Sequence, residues 1–185
     1  MAGTGGNLSA REDPDHFWIT ASGKPKGRLD DRDFLLARLS DDAIVETLQA
    51  GDRPSAETAI HRAIYRRSPE TLACLHAHSV PAVGISMLQK RAVTAVRLPP
   101  VEILKAFDGW KESARSELPL FENHAVVARI ARDIEKRFAR KPPAISALII
   151  RGHGVTVWGN SIQQAYNRFE ALEFILELMW GQRRR

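Results

Sequence analysis

Two histidines one residue apart, His76 and His78, close the apolar run Cys74-Leu75-His76-Ala77-His78-Ser79. Side chains alternate between the faces of a β-strand, so positions i and i+2 point the same way. The pair then presents two imidazoles to one side, and neutral imidazole binds a divalent ion such as zinc at about 2.0–2.1 Å. Two nitrogens do not complete a site. Of His16, His61, His124 and His153, only His153 lies between glycines, in Gly152-His153-Gly154. Glycines allow tight backbone geometry there and let the imidazole approach another strand. Three histidines leave a fourth position for water or substrate, the pattern of a catalytic metal ion. His-x-His pairs and Gly-His-Gly turns also arise without a metal, so spacing alone leaves both readings open.

Two acids compete for acid–base work. Glu57, Ile60 and Ile64 follow i, i+3, i+7, which turns the Glu57 carboxylate onto the apolar face of a helix opened by Ser55. Glu102 stands at the start of a short helix after Pro99-Pro100. Either acid could simply complement a positive helix N-terminus, and spacing does not choose between them. For an anion anchor, Gly5-Gly6-Asn7-Leu8-Ser9 and Ala21-Ser22-Gly23-Lys24 read as short loops with free N–H groups, hydroxyls and a lysine. Ser55 reads as a helix N-cap. Each is able to cradle a phosphate, and each is also ordinary turn chemistry.

The elements that must position these residues follow from periodicity. Phe17 to Thr20, Phe34 to Leu39, Ala43 to Leu48, Thr71 to His78, Thr94 to Leu98, Ala144 to Arg151 and Val155 to Trp158 read as strands. Leu118-Pro119-Leu120-Phe121 reads as an edge strand, because proline cannot donate to a ladder. Helices are expected from Ser55 to about Arg67, from Pro81 to Leu88, and briefly from Val101 to Phe107. Val127, Ile130, Ala131, Ile134 and Phe138 mark an amphipathic helix stopped by Pro142-Pro143, and Ile162 to Met179 a long closing one. Strands and helices interleaved throughout indicate an α/β layered sandwich in one domain, residues 1–185.

At 185 residues and 44% apolar, the chain can bury a substantial core. No apolar run reaches the roughly 18–20 residues of a membrane helix, and the start lacks the charged and apolar regions of a signal peptide. With Cys74 the single cysteine, an internal disulfide framework is excluded, and the expected compartment is the cytosol. The net charge of +5 raises nucleic acid as a partner. However, the basic residues gather at Arg129, Arg132, Lys136, Arg137, Arg140 and Lys141 and in the Arg183-Arg184-Arg185 tail, without a nucleic-acid motif. They read as a solvated helix face and a frayed end.

Five segments, taken in order, resemble the class II aldolase/adducin family, and within it the methylthioribulose-1-phosphate dehydratase branch. They are Gly6-Asn7-Leu8-Ser9-Ala10-Arg11, Trp18-Ile19-Thr20-Ala21-Ser22-Gly23-Lys24, Pro54-Ser55-Ala56-Glu57-Thr58, His76-Ala77-His78-Ser79 and Arg151-Gly152-His153-Gly154. Trp158-Gly159, Glu170-Ala171-Leu172-Glu173-Phe174 and Glu102 within Val101-Glu102-Ile103-Leu104-Lys105 look more like the dehydratases than the aldolases. The resemblance implies an α/β/α fold around a mixed, largely antiparallel sheet, with one zinc per subunit held by His76, His78 and His153. It also implies a phosphorylated ketose as substrate, its phosphate held around Asn7, Ser22, Gly23, Lys24 and Ser55. Glu102 would be the first catalytic candidate and Glu57 the second, on the metal side. A cytosolic homotetramer with sites near subunit interfaces, in methionine salvage and with no nucleic-acid or membrane partner, completes the expectation. A sugar-phosphate aldolase or 4-epimerase and a non-catalytic adducin-like module are the alternatives. Family members carry a further helix before the segment matching Gly5-Gly6-Asn7, for which this chain leaves no room, and that departure bears on assembly.

Overall fold

In the computed structural model, which describes residues 5–107 and 116–183, the alternating apolar runs become one nine-stranded sheet. Met1–Thr4 and the last two arginines of the basic tail lie outside the described residues. The strands are β1 Gly6–Arg11, β2 His16–Thr20, β3 Phe34–Arg38, β4 Ile44–Thr47, β5 Ala73–Ala77, β6 Ala95–Arg97, β7 Glu117–Phe121, β8 Ala147–Ile150 and β9 Gly154–Gly159. Their order is β4-β3-β2-β1-β5-β9-β8-β7-β6, and every pair is antiparallel except β7 with β8. The helices are α1 Thr58–Arg67, α2 Val80–Met87, α3 Val127–Arg140 and α4 Ile162–Arg183, with 3₁₀ turns at Asp31–Asp33 and Glu102–Phe107. No helix among the described residues is long and apolar enough to cross a membrane.

Strand alternation divides the core into two layers. Leu148 and Ile150 of β8 join Ile60 and Ile64 of α1 and Ile130, Ile134 and Phe138 of α3 in one buried cluster. Ala147 and Ile149, one residue out of phase, join Ile85 of α2 and Leu172, Ile175 and Leu176 of α4 in another. Helices thus cover both faces of a mixed, largely antiparallel sheet, as expected. Within β5, Cys74 belongs to the α1/α3 side and Ala73 and Leu75 to the α4 side. His76 is in phase with Cys74, and so points toward the N-terminal end of α1.

Four expectations need correction. Gly6 to Arg11 is an interior strand paired with both β2 and β5, and not a loop. Gly6 suits it: φ is +131°, and a Cβ would collide with the His76 carbonyl oxygen. Secondly, α1 begins at Thr58 and not at Ser55. Ser55 to Glu57 instead forms a turn, with Thr58 N donating to Ser55 O at 3.0 Å and Glu57 N to Ser55 Oγ at 3.3 Å. Thirdly, β5 ends at Ala77, leaving His78 just past the strand. Fourthly, β7 is not an edge strand. Pro119 stands opposite Ala95, while Leu120 N supplies the donor to Thr94 O, so the short β6 can pair outside it.

Candidate metal centre

The β1–β5–β9 strand register assembles the centre. Asn7 lies opposite His76 across β1 and β5, and Thr156 lies opposite His76 across β5 and β9. His153 occupies the β8–β9 turn, where Gly152 has φ +60° and a Cβ on Gly154 would collide with Ala77 O. That close approach brings His153 beside the end of β5. Glu57 arrives from the turn before α1.

Glu57, His76, His78 and His153 each offer one ligand atom, and all four atoms lie within 4.8 Å of one another. His76 Nε2 and His78 Nε2 are 3.0 Å apart. Glu57 Oε1 is 3.1 Å from His153 Nε2, 3.4 Å from His78 Nε2 and 3.8 Å from His76 Nε2. A tetrahedral zinc ion with ligands at 2.0–2.1 Å would set neighbouring ligand atoms about 3.4 Å apart, so the group has the right size. His76 is fully buried, His153 and Glu57 are half-buried, and His78 opens to solvent. The group is therefore closed on the protein side and accessible on the other.

His76 Nδ1 lies 2.9 Å from Thr156 Oγ1. With that nitrogen donating, Nε2 turns a lone pair toward the His78 nitrogen. Two imidazole nitrogens facing each other at this distance favour a shared cation. Burial holds the His76 pKa well below its ordinary value, so the ring stays neutral, the form that binds metal. Burial alone would raise the Glu57 pKa. Hydrogen bonds from His153 and His78 and the nearby His76 outweigh it and hold Glu57 far below the usual carboxylate range. Ser55 Oγ donates to Glu57 Oε2 at 3.1 Å. The donor set, three imidazoles with one ionised carboxylate, fits a divalent ion such as zinc.

The other expected site residues divide. Asn7 is buried, with Nδ2 donating to Thr20 Oγ1 at 3.4 Å and Oδ1 unpartnered among the described residues. Ser22 N donates to Arg53 O at 2.9 Å and Ala21 bridges Pro54, which lays the Ser22-Gly23 loop against Ser55. The Lys24 ammonium is already taken up by protein groups, meeting the Asp52 carboxylate at 3.0 Å, Gln49 at 3.1 Å and the Asp33 carboxylate at 3.2 Å. Glu102 is exposed on its 3₁₀ turn, paired with Lys105 at 2.8 Å, and is not among the four grouped residues. Thr156 went unnoticed in the sequence; the alternation of Val155-Thr156-Val157-Trp158, which puts a hydroxyl on one face, was the available signal.

Comparison with known proteins bears on the family and the fold. The profile of the Class II Aldolase and Adducin N-terminal domain matches residues 1–180. A methylthioribulose-1-phosphate dehydratase of Microcystis aeruginosa is 44% identical over 179 residues, spanning 97% of this chain and 86% of that protein. One from Leptospira biflexa is 40% identical over 184 residues, spanning 97% and 88%. Among solved structures, L-fuculose-1-phosphate aldolase from Thermus thermophilus superposes with a TM-score of 0.73 at 26% identity, covering 99% of this chain and 86% of that one. YgbL of Escherichia coli superposes with a TM-score of 0.77 at 26% identity, covering 97% and 79%. With a profile match over nearly its whole length, the chain belongs to the class II aldolase and adducin N-terminal domain family.

Proposed function

We propose that the protein is a zinc-dependent lyase of the cytosol that removes water from 5-methylthioribulose 1-phosphate, giving a 2,3-diketo-5-methylthiopentyl 1-phosphate in methionine salvage. The observation that carries this reading is the convergence of three imidazoles and Glu57 in a chain 44% identical to a methylthioribulose-1-phosphate dehydratase. His76, His78 and His153 would hold the ion, one per subunit. When bound, zinc supplies Lewis acidity that stabilises negative charge on the ketose oxygens. The open side at His78 admits the ketose, and Asn7, Ser22, Gly23 and Ser55 receive its phosphate.

The reaction needs a group that takes the C3 proton and a proton for the departing C4 hydroxyl; tautomerisation of the resulting enol gives the diketone. Acid–base catalysis works best with a pKa near the operating pH. Glu57 is held far below that, which suits it to balancing positive charge in the centre. Glu102 is then the acid–base candidate. It is exposed and outside the grouped residues of its own chain, so this reading brings it to the centre from a neighbouring copy, in a proposed homotetramer of one-domain subunits.

One observation favours a second reading, a sugar-phosphate aldolase: Glu57, and not Glu102, stands in the group, and an aldolase would use the same centre to break C3–C4. Incubating the zinc-loaded protein with methylthioribulose 1-phosphate separates the two. The dehydratase yields diketone, whereas retro-aldol fragments without diketone would establish the aldolase. Glu102→Gln is expected to lower kcat by about a hundredfold or more, the span of general acid–base catalysis. An unchanged rate would move the role to Glu57.

A further inference from the structure

The loop after β2 carries two lysines with different surroundings. Lys24 is fully engaged, since its three N–H donors are matched by Asp33, Asp52 and Gln49. Lys26 donates to a single neutral acceptor, Ala21 O at 3.1 Å, and no carboxylate lies within ion-pair distance of it among the described residues. Its side chain is half-buried. Burial pushes its pKa down, and the charge of Glu57 draws it partly back. An ammonium in this position has two donors unused and part of its hydration removed. Such a group gains most from an anionic acceptor.

The place of that ammonium says which anion. Ala21, whose carbonyl it holds, bridges Pro54, and the next residue, Ser22, is bonded through its N–H to Arg53 O at 2.9 Å. The loop and the Pro54-Ser55 turn are thus joined side by side, and Ser55 is bonded to Glu57 at 3.1 Å. Gly23, with φ +77°, has open space where a Cβ would stand. Lys26 is therefore fastened to the carbonyl that precedes Ser22-Gly23 and bridges Pro54, within range of the Glu57 charge. We infer that Lys26 is the cation that receives the phosphate monoester of the substrate, while Lys24 only fastens the loop. This rests on the phosphorylated-ketose reading above and adds to it the residue that neutralises the anion.

Calorimetric titration of the full-length, zinc-loaded protein with inorganic phosphate tests the assignment. Lys26→Met is expected to weaken phosphate binding about tenfold to a hundredfold, the span of a charge-assisted hydrogen bond. KM for methylthioribulose 1-phosphate should rise in parallel, kcat should move less, and Lys26→Arg should restore most of the affinity. A wild-type measurement covers misfolding of the variants: saturating phosphate should protect Lys26, and not Lys24, from reductive methylation read by peptide mass. Unchanged phosphate affinity in Lys26→Met, or a methylation rate at Lys26 indifferent to phosphate, overturns the assignment even if the protein makes diketone. Phosphate binding through Lys26 in a protein that makes no diketone would instead sink the dehydratase reading and leave the anion site standing.

Discussion

The hydroxyl of Thr156 lies 2.9 Å from His76 Nδ1, at a position set by the pairing of these two residues across β5 and β9. A partner on the far nitrogen fixes the tautomer and orientation of a ligating imidazole, and its loss costs about 10–100-fold in metal affinity. Thr156→Val, which keeps the shape and removes the acceptor, should weaken zinc binding by that factor in a competition titration with a chelator. The fold should survive. Behind the centre, Ser9 Oγ lies 2.7 Å from His61 Nδ1 and 2.8 Å from Tyr65 OH, and His61 Nε2 is buried with no hydrogen-bond partner among the described residues. Burial pushes the His61 pKa down to about 4. The unfolded chain, with an ordinary histidine pKa near 6.5, binds more protons than the folded one between those values, so stability falls as pH drops through that window. His61 alone should cost the metal-free protein about 2 kcal/mol between pH 7 and pH 5, at about 1.4 kcal/mol per pH unit. Urea unfolding at the two pH values should show a smaller difference in His61→Gln; an equal one would mean that His61 is not the group responsible.

Strand β5 carries the centre because its neighbours come unusually close at its end, with Gly6 on one side and Gly154 on the other. Gly154→Val would drive a side chain into the Ala77 carbonyl. Overpacking of this kind typically costs about 1–3 kcal/mol, and here the displaced backbone carries His76 and His78. The variant should lose zinc affinity along with thermal stability, measured by metal analysis after gel filtration and by melting. The helix-to-strand alternation was legible in the sequence wherever one periodicity dominated: α3 through Ile130, Ile134 and Phe138, and β8 and β9 through their apolar runs. His76 and His78 were legible as a same-face pair because alternation persists one residue past the strand. Strand β1 was not, since Gly5-Gly6-Asn7 has turn composition and only ladders on both sides make it extended. Nor were the different surroundings of Lys24 and Lys26, since Asp33, Gln49 and Asp52 fold back onto Lys24 while Lys26 turns to Ala21 O. Pro119 misled for a related reason: the strand outside it is only three residues long and takes its donor from Leu120.

At the scale of the molecule, the proposed delivery of Glu102 by a neighbouring copy would make the active site a shared property. Mixing inactive His76→Ala and Glu102→Gln proteins under conditions that exchange subunits should then restore a measurable fraction of activity, because some sites would combine an intact centre with an intact acid. No recovery after verified exchange would return the acid–base role to a residue within one chain. The four grouped residues also come from three separate stretches of sequence, before α1, at the end of β5 and before β9. An ion held by them is a cross-link between the first third, the middle and the last fifth of the polypeptide. Because the unfolded chain offers no such preformed set, binding adds to folding stability, by about 4 kcal/mol when free metal exceeds its Kd a thousandfold. Removal of the metal with a chelator should therefore lower Tm in the wild type and leave His153→Ala nearly unmoved. With an ion bound, the centre would be a clasp as well as a workplace, and a cell short of metal would then lose this protein to unfolding and proteolysis as well as to idle active sites.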